Sequence, residues 1–73
     1  MTSDKRGMQG YKGYRGSAEY STEDRVFHGK LLGIRALVMY ESEIEEGLQP
    51  VFEEAVGDYL ELCEQTGSLP ETP

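Results

Sequence analysis

Between Leu48 and Cys63, the residues Leu48, Val51, Phe52, Ala55, Val56, Tyr59, Leu62 and Cys63 recur at spacings of three and four. At about 100° per residue they form one apolar stripe of a helix, while Glu46, Glu53, Glu54, Asp58, Glu61 and Glu64 fall on the opposite side. The spacing predicts a helix over 45–66, with Gly67 as a left-handed cap and Pro70 as a stop signal. Pro50 removes a backbone donor and leaves two readings open. Either the regular helix begins near Gln49 with Pro50 in its first turn, or a longer helix bends there. A stripe this wide has to lie on another apolar surface, and the expected sheet offers one.

The preceding residues change period. "YRGSAEY" alternates, "RVFHGKLL" is rich in β-branched and aromatic residues, and "STED" between them has the composition of a hairpin turn. Gly33 marks a second turn, followed by a third strand over roughly Ala36 to Glu41. Short connections favour a meander. The expected fold is therefore α+β: a three-stranded antiparallel sheet (β-β-β) packed by one long C-terminal helix. Residues 1–10 read as a polar lead-in, 11–67 as the folded domain, and 68–73, "GSLPETP" with the preceding Gly67, as a tail of linker composition.

A chain of 73 residues buries only about 60% of its unfolded surface and gains stability from partners or from self-association. One cysteine and one histidine cannot close a tetrahedral metal shell or build a disulfide framework. No apolar run approaches the ~20 residues of a membrane span. With a lone thiol and no signal-peptide pattern, the expected compartment is the cytoplasm.

Charge is divided unevenly. All seven basic residues precede Tyr40 and face four acids there, a net of +3, while residues 41–73 hold ten acids and no base. Glu54 and Asp58 are four apart, and Asp58, Glu61 and Glu64 follow at intervals of three. Each such like-charge pair costs a helix about 0.2–0.5 kcal/mol. A solvated acidic face is the ordinary explanation; a docking surface for a cationic partner is the functional one.

The remaining candidates are weaker. His28 has no nucleophile or orienting carboxylate nearby in sequence, so a strand residue at an interface is favoured over a general base. Cys63 lies on the apolar stripe, as a buried inert thiol would. "GYKGYRG" interleaves aromatic and basic residues as single-stranded nucleic-acid binders do, but the acidic second half would repel phosphates. Glu19, Asp24 and Glu41 would have to converge to hold a divalent ion for nuclease chemistry, and their placement along the strands is scattered.

Taken in order, "YKGYRGSAEYSTEDRVFHGKLLGIRALVMYE" followed by "FEEAVGDYLELCEQTG" resembles the N-terminal domain of HicB-family antitoxins over about residues 11–67. The shared pattern is Y-K-G-Y, G-S, an acidic turn, F-H-G, L-G-I, then F-x-E-A-V-x-D-Y-L-x-x-C. The resemblance implies a partial RNase H-like fold without catalysis or cofactor, which binds and occludes a HicA toxin, a small basic mRNA-cleaving protein of the double-stranded-RNA-binding fold. It also implies Glu53, Glu54, Asp58 and Glu61 as the charged contribution to that contact, with Phe27 and His28 as further contacts. Relatives usually continue into a DNA-binding module past the position where this sequence ends, so direct DNA binding is not expected of these residues. Pro50 and Gly57 depart from the family pattern and weaken a regular helix by up to ~3 and ~1 kcal/mol. A homodimer or higher oligomer is expected because the edge of a small sheet invites association. The other readings are a degenerate metal-dependent nuclease and an orphan module that oligomerises without a toxin.

Overall fold

The structure is a computed structural model and describes residues 9–72; the lead-in expected at 1–8 lies outside them. Four strands are followed by a helix: β1 (Arg15–Gly16), β2 (Glu19–Ser21), β3 (Val26–Leu32), β4 (Met39–Ser42), a 3-10 turn (Glu45–Gly47) and α1 (Leu48–Thr66). β3 is central. β1 and β2 both pair with one side of it and β4 with the other, all antiparallel. The meander predicted from the sequence is present, but its first strand is divided in two, which makes the sheet four-stranded.

The division has a local cause. Arg15 pairs with Leu32 and Gly16 with Leu31; the same register resumes at Glu19 with His28. Between them Ser17 still donates its N–H to the Lys30 carbonyl (3.0 Å). The Lys30 N–H, however, goes to Ser17 Oγ (3.0 Å) instead of the Ser17 carbonyl. That carbonyl has turned onto Gly29 and accepts the Tyr40 hydroxyl (2.8 Å). A Cβ on Gly29 would stand 1.9 Å from the Ser17 oxygen, so only glycine fits. Tyr40 is buried, and burial pushes its hydroxyl pKa up to about 12.

The turns follow their residues. Lys12 (φ 52°) and Gly13 (φ 84°) sit between Tyr11 and Tyr14, which exchange two backbone hydrogen bonds of 2.9 Å. Positive φ at both central positions is the geometry of a tight two-residue hairpin. Gly33 turns the chain out of β3 at φ 79°, and the Leu31 N–H to Val38 carbonyl bond extends the β3–β4 ladder by one pair beyond Met39.

Side chains alternate across the sheet, so Phe27, Gly29, Leu31 and Tyr40 face α1, and Val26, His28, Lys30, Met39 and Glu41 face away. Leu48, Phe52, Ala55, Val56, Tyr59 and Cys63 close the core from the helix side, with Tyr14, Leu31 and Tyr40 opposite them. Phe52 and Val56 are its fully buried centre. Of the predicted stripe, Val51 is half-buried on one flank and Leu62 is 56% exposed. Leu62 is therefore a surface residue: it lies at the margin of the stripe, where the turn of the helix carries it off the sheet.

Pro50 is the third residue of α1, where its missing N–H is one of the four that a helix leaves unbonded anyway. The first of the two readings holds. Gly57 has nothing within 4 Å of where its Cβ would be, so it costs the helix about 1 kcal/mol relative to alanine with no packing in return. Gly67 takes the left-handed conformation (φ 75°), and the Ser68 N–H reaches the Cys63 carbonyl at 2.9 Å to close the cap.

The tail, linker-like in composition, folds back. The Glu71 carboxylate accepts the N–H groups of Arg35 (2.8 Å) and Ala36 (3.0 Å). The Glu71 N–H donates to the Tyr59 hydroxyl (2.9 Å), and the Tyr14 hydroxyl donates to the Glu71 carbonyl. One residue thus ties the helix end, the N-terminal hairpin and the loop after β3 together.

Candidate partner-binding site

α1 is a 19-residue helix with no acid in its first turn and no base in its last. The macrodipole therefore does nothing to offset the carboxylates along it. Glu54, Asp58 and Glu61 are exposed and form a row along the side of α1 opposite Phe52 and Tyr59. Glu53 sits at the edge of that row, half-buried, where its carboxylate accepts Gln49 Nε2 (2.9 Å). Among the described residues no Lys, Arg or His lies within ion-pair distance of Glu54, Asp58 or Glu61; His28 Nε2 approaches Glu19 Oε1 at 3.9 Å on the far side of the sheet. The row presents three negative charges to solvent on a rigid element.

Phe27 and His28 are separated from it. Adjacent residues on a strand point to opposite faces, so Phe27 lies half-buried on the helix side, its ring 4.7 Å from that of Tyr20. His28 lies on the outer face between Glu19 on β2 and Glu41 on β4, its register partners. In a two-layer fold these are opposite surfaces, and one flat partner can cover the acidic row or His28, not both. The structure brings Glu53, Glu54, Asp58 and Glu61 together and leaves His28 elsewhere.

The groups considered for chemistry do not assemble. Glu19 and Glu41 flank His28, but Asp24 is in the β2–β3 turn, where its N–H is held by Ser21 Oγ (3.3 Å). Among the described residues no set of three or more His, Cys, Asp or Glu side chains is placed to hold a metal ion. Cys63 is a buried free thiol in the neighbourhood of the Tyr14 and Tyr59 hydroxyls. Burial raises the pKa of the Tyr14 hydroxyl, with Cys63 and Glu71 adding to the shift. At Tyr59 the hydrogen bond to the Glu71 backbone pulls the other way, but burial, Cys63 and the Glu71 carboxylate outweigh it and the pKa is raised. Both phenols stay protonated at neutral pH and act as hydrogen-bond donors or acceptors for the tail. No described helix is long and apolar enough to cross a membrane.

Sequence reasoning missed Glu71. A glutamate in a run of Ser, Pro and Thr carries no local signal, because its role depends on two amides 35 and 36 residues away. No family model, curated protein or solved structure matches this chain.

Proposed function

We infer that this domain is a cytoplasmic, non-catalytic binding module of the HicB antitoxin type, which captures a small basic HicA-like ribonuclease and covers the surface that its RNA would use. The observation that carries the reading is the exposed row Glu54, Asp58 and Glu61, unneutralised on a helix without a single Lys or Arg. Like charges three and four residues apart repel, by about 0.2–0.5 kcal/mol per pair. A cationic partner converts that repulsion into attraction and speeds encounter. The resemblance in the F-x-E-A-V-x-D-Y-L-x-x-C segment supports the same surface. Glu53 borders the contact; Phe27 packs with Tyr20 behind the sheet edge, and His28, on the opposite face, belongs to a different contact if to any.

The test is calorimetric titration with a small basic protein of the HicA type, sought first among the products of neighbouring genes, together with co-expression scored for growth. Affinity should fall as salt rises, and reversing Glu54, Asp58 and Glu61 to lysine should weaken binding at least roughly tenfold and abolish growth rescue. Affinity that is flat in salt and indifferent to the reversal would remove the acidic row from the mechanism.

A further inference from the structure

The sheet has two outer edges. On one side β1 and β2 are two and three residues long, the ladder is interrupted where the Ser17 carbonyl turns inward, and the Tyr11–Tyr14 bridge folds residues 9–11 back along β1. Gln9 then exchanges two hydrogen bonds with the Gln49 side chain (3.0 and 3.2 Å), fastening that segment to α1. On the other side β4 continues without a break from Val38 to Ser42. Because the Leu31 N–H bonds the Val38 carbonyl, alternation along an antiparallel ladder turns the N–H and C=O of Met39 and Glu41 away from β3. Among the described residues no strand pairs with them. The segment "VMYES" has no Pro, Lys, Arg or bulge, and Glu41 is its one charge against association.

We propose that β4 pairs with β4 of a second copy of this chain, antiparallel about a twofold axis at Tyr40, joining the two sheets into one. Pairing requires outward-facing residues to meet outward-facing residues, and three short registers with their axis between Met39 and Glu41 satisfy this. An axis at Glu41 sets two carboxylates opposite each other. An axis at Met39 sets Glu41 against Leu37, an exposed leucine with no charge to offer. An axis at Tyr40 sets Met39 opposite the second copy's Glu41, next to Lys30, the β3 partner of Met39. Lysine and carboxylate are then two strands apart, roughly 10 Å between backbones, a span that the two side chains cover together. Of the three, only this register sets Glu41 within reach of an opposite charge.

The flank of α1 on that side agrees. Gln49 and Glu53 face the N-terminal segment, as the Gln9 bonds show; the other flank, toward β4, carries half-buried Val51 and exposed Leu62. Joining the sheets brings these two apolar flanks toward one another, and brings exposed Leu37 of one copy to the end of β4 that carries exposed Ile44 of the other. The proposal does not rest on the antitoxin reading.

Charge substitutions at Met39, which is 61% exposed, test it without touching the core. In the full chain, Met39→Glu places a carboxylate opposite Glu41 twice and should weaken the dimer roughly tenfold by sedimentation equilibrium. Met39→Lys places an ammonium there and should leave it as tight or tighter. In the dimer the Met39 and Glu41 amide protons should be protected from exchange, increasingly so with protein concentration. A native chain that stays monomeric at the concentration of an NMR sample overturns the proposal. So does a dimer that both substitutions weaken alike or neither affects, or amide protection that is absent from the protein alone at every concentration.

Discussion

Along β1 and β2 the edge of the sheet is short, broken at Ser17 and bordered at its β1 end by residues 9–11; along β4 it is unbroken, guarded by the single charge of Glu41 and flanked by exposed apolar side chains. The same sheet is thus finished in opposite ways on its two sides. One carbonyl interrupts the first of them. By turning inward to Tyr40, the Ser17 carbonyl leaves the ladder to β3, the Lys30 N–H goes to Ser17 Oγ instead, and the strand divides there. β4 supplies the tyrosine for that closure while keeping its own outward groups free, so the closed edge is built at the expense of nothing on the open one.

The comparison breaks most readily at Gly29. Replacing it with alanine drives a Cβ into the Ser17 carbonyl, and overpacking of this kind costs about 1–3 kcal/mol or more; chemical denaturation should show a lowered midpoint. Tyr40→Phe keeps the ring against Phe52 but leaves the Ser17 carbonyl without its donor, a loss of about 1–3 kcal/mol by the same measurement. The tyrosines also set an alkaline limit. Tyr40 is raised from 10.0 to about 12 in the folded chain, and Tyr14 and Tyr59 shift in the same direction. Stability from these protonated hydroxyls is complete below pH 10 and lost as pH rises through about 12. A circular-dichroism pH titration should show unfolding in that window, with a smaller pH dependence in Tyr40→Phe. The smallest effect is expected at Leu62: changing it to glutamine should move monomer stability by no more than about 0.5 kcal/mol, yet weaken self-association if the open edge is the dimer seam.

Period was enough to read the helix. The stripe from Leu48 to Cys63, Gly67 at its end and the acids opposite are all local in sequence, and α1 forms over Leu48–Thr66 with the left-handed cap expected. β3 was legible from its β-branched and aromatic composition and the turn at Gly33 from its glycine, whereas the third strand, expected over roughly Ala36 to Glu41, forms over Met39–Ser42 because the loop after Gly33 runs on to Val38. The acidic row was legible too, since three carboxylates at helical spacing need no tertiary knowledge to be placed on one side, though the half-burial of Glu53 beside Gln49 does. That His28 cannot share a partner with that row follows from the way the two layers stack, and that stacking is not a property of either segment alone.

Propensity and spacing along the chain determined which segments become strand or helix and which face of each is apolar, because those depend on neighbours a few residues apart. Only tertiary packing decided that the first strand breaks at Ser17, that Gly29 must be glycine, that Glu71 binds the amides of Arg35 and Ala36, and that Leu62 faces solvent. Each of these depends on atoms brought together from distant parts of the chain, where a single hydrogen bond or the bulk of one methyl group selects the geometry.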